Sequence, residues 1–153
     1  MSPTKNHILI LLSSSDKTSL GKEDFQVQSP PQKVFSAIWE VESEVNNGGF
    51  AQYFLNSSAE SASFLVEALE TVGAPKTAAI CKRAIETAFP TGLPQSVEAI
   101  RLAAASFPDE VFAALEPIDN DFFSYPHNLT NLLFSYVSQH PEEFGPLTKA
   151  DDA

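Results

Sequence analysis

Apolar residues recur along most of this chain with the period of an α-helix. Val34, Ile38, Val41 and Val45 fall at i, i+4, i+7 and i+11, on one side of a helix, and Phe35 and Trp39 widen that side. Glu40 and Glu44 lie together elsewhere on the same helix. Glu42 falls between the valine stripe and the aromatic pair, which predicts a partly buried, hydrogen-bonded carboxyl. The helix is expected over about 31–46. Proline is tolerated in its first turn, where the missing N–H would be unpaired anyway. Asn47-Gly48-Gly49 ends it, because glycine and asparagine accept left-handed backbone at low cost. A short second helix over about 50–56 puts Phe50 and Phe54 on one face, and Gln52 with Asn56 on another.

The same reading continues downstream. Ser57-Ser58-Ala59-Glu60 matches a capping box ahead of a third helix that carries Phe64, Leu65, Ala68, Leu69 and Val72, and Gly73 closes it. Pro75 opens a fourth helix with Cys81, Ala84, Ile85, Ala88 and Phe89 turned inward, and Pro90 stops it. Pro94 opens a fifth, with Val97, Ile100 and Ala104 on one stripe. Residues 109–115 read as a short helix before Pro117, and 118–126 as a loop rich in aromatic and acidic residues. A last helix over about 128–140 uses Leu129, Leu132, Leu133, Tyr136 and Val137. No segment alternates with the period of a strand. The expectation is all-α: a compact array of about six to seven short antiparallel helices in a single domain over 30–145. An arm over 1–29, irregular or docked, precedes it, and a loose tail over 146–153 follows.

Charge changes the picture. Twenty acids stand against nine bases in 153 residues, for a formal net charge of -11. Residues 1–33 hold three of the acids and four of the bases, so the helical part carries the whole excess. Direct nucleic-acid binding needs a basic face that releases counterions, and this composition argues against it. A basic protein partner is favoured instead, although acidity also simply keeps proteins soluble. The one cysteine, Cys81, allows no internal disulfide and fits a reducing, cytoplasmic setting. No apolar run approaches the roughly 20 residues that span a bilayer, and the run Ile8 to Leu12 is too short for a secretion signal.

Candidate chemistry is thin. His7, His127 and His140 lie in three regions without metal-ligand spacing, and Cys81 sits in an apolar stripe as a core thiol. The loop Glu116 to Asp121 lacks the glycine and the final glutamate of a calcium loop. No phosphate loop, dinucleotide fingerprint or nucleophile elbow is present. The expectation is therefore no catalytic residue, no metal and no cofactor. Glu40/Glu44 and Glu67/Glu70 are carboxylate pairs at helical spacing with no base at i+4, unlike Lys82/Glu86 and Glu98/Arg101. Like charges so placed weaken a helix slightly, which suggests that the charge is used.

One stretch is specific. Glu44, Val45, Asn47, Gly48, Gly49, Phe50, Gln52, Tyr53, Phe54, Asn56 and Ser57, followed by Ala68, Leu69, Val72, Gly73 and Ala74, match a distinctive pattern. It resembles the signature of a bacterial domain family whose best-known member is a DNA-mimic protein. The match is good over about 34–90. The resemblance implies an all-α fold, and homodimers are known for the mimic, whose surface carboxylates stand in for DNA phosphates on a transcription factor. The signature, mostly glycine, amide and aromatic residues, is expected to build the helix junction: Glu44, Asn47, Gly48, Gly49, Phe50, Gln52, Tyr53 and Asn56.

The leading expectation is an acidic domain that binds a basic, nucleic-acid-binding protein through Glu40, Glu44, Glu67, Glu70, Asp109, Glu110, Glu116, Asp119 and Asp121. Two rivals stand beside it. One is a small-ligand or enzymatic site at the Asn-Asn-Gly-Gly-Phe junction, with backbone N–H groups meeting an anion and Glu42 or Glu44 as acid–base group. The other is an immunity-type inhibitor of a basic toxin.

Overall fold

A computed structural model describes residues 4–14 and 24–145. Among them are eight α-helices and no strand: α1 (Lys5–Ser13), α2 (Pro30–Leu55), α3 (Ala62–Thr71), α4 (Pro75–Ala88), α5 (Val97–Ala104), α6 (Asp109–Phe123), α7 (Leu129–Ser138) and α8 (Pro141–Phe144). The expected loose tail over 146–153 lies outside the described residues.

α2 is the axis of the molecule. It opens with a capping box: the Ser29 hydroxyl accepts from the Gln32 N–H, and the Gln32 side chain accepts from the Ser29 N–H. Its helical geometry breaks at Gly48 (φ -158°, ψ 20°) and Gly49 (φ 76°, ψ -178°), the place marked by the glycine pair. The dihedrals of Gly49 belong to a region essentially closed to residues with a Cβ. The two arms of α2 are therefore the two helices that the sequence predicts, joined by a kink.

α2 touches α3, α5, α6, α7 and α8, so it is covered on several sides. Val34, Phe35, Ile38, Val41 and Val45 are buried on its first arm, and Phe50, Tyr53 and Phe54 on its second. The Phe54 ring meets Phe89 at 5.2 Å and Phe107 at 6.4 Å between centroids, and Phe50 meets Phe122 edge-on at 5.7 Å. Edge-to-face contacts of this kind add roughly 0.5–1.5 kcal/mol each beyond the buried area. α3 packs on α2 and α4, and α6 packs on α2 and α4. These four helices form a ring in the order α2, α3, α4, α6, which places α3 and α6 on opposite flanks.

Three expectations need correction or filling in. The helix after Asp109 does not stop at Pro117 but runs to Phe123, so 118–126 is mostly not a loop. Pro117 removes one N–H, yet Ala113, the residue four positions earlier, is exposed and its carbonyl can turn to water. Burial of Leu115, Ile118 and Phe122 carries the helix through. Next, residues 57–61 form a 3₁₀ turn rather than the start of a capped helix, and α3 begins at Ala62. The Ser61 hydroxyl pairs with the Tyr53 hydroxyl at 2.7 Å inside the core. Finally, the apolar run of the arm is a docked helix: α1 packs on α7, with Ile8, Leu9 and Leu12 buried.

Candidate functional site: the α2 kink and its carboxylates

The kink gathers polar side chains from three elements. Glu44, on the first arm of α2, accepts through one carboxylate oxygen from Gln52 (2.8 Å) and Asn56 (2.6 Å) on the second arm. The shared face of Gln52 and Asn56 is thus used, and it ties the two arms across the break. Gly48 is needed because a Cβ there would collide with the Gln52 side chain. On the other side, Asp119 of α6 accepts from the Phe50 N–H at 2.9 Å. It caps the second arm in the manner of an N-cap residue, but from 69 positions away. A Cβ on Gly49 would lie 2.5 Å from that carboxylate. Burial pushes the Asp119 carboxyl up from the usual carboxylate range, the Phe50 N–H opposes this, and nearby Glu116 adds to the rise.

The junction is therefore filled from within. The backbone donor at the start of the second arm is already bound to a carboxylate of the chain itself, and an external anion would have to displace Asp119. This disfavours the anion-binding reading of the Asn-Asn-Gly-Gly-Phe segment. Asn47 is exposed, and Tyr53 is fully buried.

A second cluster lies one turn earlier. The Tyr125 hydroxyl donates to Glu42 at 2.8 Å and accepts from the Asn46 side-chain amide at 2.8 Å. Glu42 is half-buried, as its place between the two stripes predicts, and burial raises its carboxyl pKa while the Tyr125 bond lowers it. The Tyr125 hydroxyl is pushed up to about 12, chiefly by burial, with the Asn46 bond opposing and the Glu42 charge adding. Tyr125 has φ 48°, left-handed backbone that costs a non-glycine residue about 1–2 kcal/mol. Nothing in the sequence marks it beyond its place before Pro126.

The nine predicted partner-binding carboxylates separate into groups. Glu40 is 3% exposed and is withdrawn from any surface. The valine stripe predicts one buried side for α2, whereas neighbours on several sides bury positions off the stripe. Glu44 and Asp119 are half-buried and hold the junction. Asp121 is exposed but ion-paired with Arg83 of α4. Glu67 and Glu70 on α3, and Asp109, Glu110 and Glu116 on α6, are exposed. α4, between those flanks, presents exposed Lys76, Lys82 and Arg83. The outward-facing members of the nine accordingly lie on two helices, α3 and α6, and α4 between them carries these three bases together with the exposed Glu86.

Of the remaining candidates, Cys81 is fully buried and burial raises its thiol pKa, as befits a core residue. His127 accepts from the Lys76 N–H at 3.1 Å and so caps the first turn of α4. No described helix is long and apolar enough to cross a membrane.

An acidic all-helical domain kinked at a glycine pair, with the junction clamped by internal carboxylates, is the class that these features define. Residues 28–140 match the family model of the DMP19-like proteins, and the chain belongs to that family, a DNA-mimic-like domain family. No curated protein and no solved structure shows significant similarity to the chain.

Proposed function

We propose that this chain is an interaction domain that binds a basic, nucleic-acid-binding protein by presenting carboxylates where that partner would meet DNA phosphates. The observation that carries the proposal is α6, whose fifteen residues hold five acids and no base. Asp119 fixes the helix to α2 and Asp121 fixes it to α4, which leaves Asp109, Glu110 and Glu116 displayed on a rigid support. Their span of seven residues is about 10 Å of helix. One strand of duplex DNA carries about three charges over that length. Family membership supports the mimicry reading. The proposal assigns the chain no catalytic step, and a cytoplasmic setting goes with it.

Capture on the immobilised chain at low salt tests it. The expected partner is basic, leaves the column as salt rises from about 0.05 to 0.5 M, and is displaced by duplex DNA. The triple variant Asp109→Asn, Glu110→Gln, Glu116→Gln should not retain it. A partner held equally well at high salt, or by the triple variant, would overturn the reading.

A further inference from the structure

We propose that the cleft formed by Asn6 of α1 with Trp39, Glu42, Ser43 and Asn46 of α2 is a binding site for one guanidinium group. The four α2 residues fall at i, i+3, i+4 and i+7, a single helix face, and the cleft measures about 190 Å³. Ligand pockets for drug-sized molecules run to about 300–1,000 Å³, so this one suits the head group of a side chain or a very small cation.

Its lining selects for positive charge. Tyr125 spends its single proton on one oxygen of Glu42, and Asn46 spends an amide proton on Tyr125. The circuit holds the Glu42 carboxylate in place and leaves its other oxygen unused by Tyr125. With its amide so turned, Asn46 keeps its carbonyl oxygen as an acceptor, and Asn6 and Ser43 can add further acceptors. Trp39 contributes an indole, the ring that attracts cations best. Phe35 stacks on that indole at 5.6 Å and 11° and fixes its plane. A guanidinium fits better than an ammonium because it is planar: it can stack on the ring while its edge meets the carboxylate. Burial of Glu42 works in the same direction, since a carboxylate with few waters gains most from an arriving cation. The left-handed backbone of Tyr125 is strain stored at this cluster, where function commonly places it.

The guanidinium could be a free small cation or an arginine of a protein partner. Only the second source rests on the proposed function. Trp39 is the single tryptophan, so its emission reports the cleft directly. The full chain is titrated with methylguanidinium chloride, with methylammonium chloride, and with sodium chloride at matched ionic strength. The expected result is a saturable change with methylguanidinium, a weaker one with methylammonium and none with sodium. Glu42→Gln should weaken binding by about tenfold or more, the loss of one charge-assisted contact. Glu70→Gln, on the far flank, should leave it unchanged. The amide introduced by Glu42→Gln can still accept from Tyr125, and an unchanged or raised melting temperature will show that the fold is retained. A signal that fails to saturate, or that persists in Glu42→Gln, or that sodium reproduces, overturns the site. A second arm compares capture of the basic partner by wild type and Glu42→Gln. Weakened capture assigns the guanidinium to the partner. Unchanged or absent partner capture with a saturable titration assigns it to a free cation, and absent capture also removes the interaction reading while the cleft stands.

Discussion

Glu40/Glu44 and Glu67/Glu70 look alike in the sequence: two carboxylates at helical spacing with no base at i+4. In the folded molecule they are opposites. Glu40 is buried and Glu44 clamps the two arms of α2, while Glu67 and Glu70 face solvent on α3. The difference comes from the helices that carry them. α2 is enclosed by five neighbouring helices, so residues off its apolar stripe are drawn inside. α3 lies on the flank of the ring and keeps an open side. An excess of acid thus has two uses here. Near the kink it satisfies backbone and amide donors, and on the flanks it is surface charge.

The contrast can be broken most sharply at Gly49. Gly49→Ala forces a Cβ into backbone that only glycine adopts readily and drives it against Asp119. Strain of about 1–3 kcal/mol adds to a lost cap of about 1 kcal/mol. A total near 3 kcal/mol, measured by urea unfolding, is a large part of a domain's stability of about 5–15 kcal/mol. A loss below about 1 kcal/mol would show that Asp119 and the kink are not coupled.

Glu44→Ala comes next, with an expected loss of about 1–3 kcal/mol, because Gln52 and Asn56 lose their shared acceptor in a half-buried place. Glu67→Ala, the outward counterpart, should stay within about 0.5 kcal/mol. Equal effects would erase the distinction between the two pairs. Asp119→Ala should fall between them at about 1–2 kcal/mol, the cost of an N-cap. Its signature is local: hydrogen exchange at the Phe50 amide should quicken more than exchange in α3 or α4.

Much of this fold was legible, and the reasons are local. Prolines and glycines lie at the helix ends, the valine stripe shows the buried side of α2, and Gly48-Gly49 shows where it bends. The failures are all non-local. Pro117 reads as a stop because only the covered stripe of Leu115, Ile118 and Phe122 explains why the helix continues. Asp119 as a cap for Phe50 is invisible when the two are 69 positions apart. The burial of Glu40 depends on how many helices surround α2, which no spacing on α2 itself records. The Glu44 clamp had a trace in advance, since Gln52 and Asn56 share a face, but its partner had to be seen across the kink.

Glu42 gives a smaller effect with an unusual sign. Its folded pKa is raised, so the native state holds the proton to higher pH than the unfolded chain does. The unfolded chain then binds fewer protons through that window, and stability falls as pH rises through it. At neutral pH the ionised Glu42 is a cost. Glu42→Gln should therefore melt slightly higher than wild type near pH 7, with the difference closing on acidification below the ordinary carboxylate range. A variant less stable at pH 7, with the deficit shrinking on acidification, would mean that the Tyr125 bond outweighs burial.

A small net stability effect is also expected at the residues on which the proposed function most depends. Asp109 and Glu110 occupy the first turn of α6, where negative charge is favoured by the helix dipole by about 0.3–1 kcal/mol each at low salt. Glu116, two turns in, lies beyond most of that field. Against this, neutralising three acids relieves repulsion in a chain of formal charge -11. The two terms oppose each other at similar size, so the triple variant should unfold within about 1 kcal/mol of wild type. Its binding to a basic partner should nevertheless fall steeply, and the slope of affinity against salt should shrink by about three contacts. A variant that binds as before would remove α6 as the binding face and overturn the proposed function. A variant that loses both stability and binding would make the α6 acids structural, like Glu44 and Asp119.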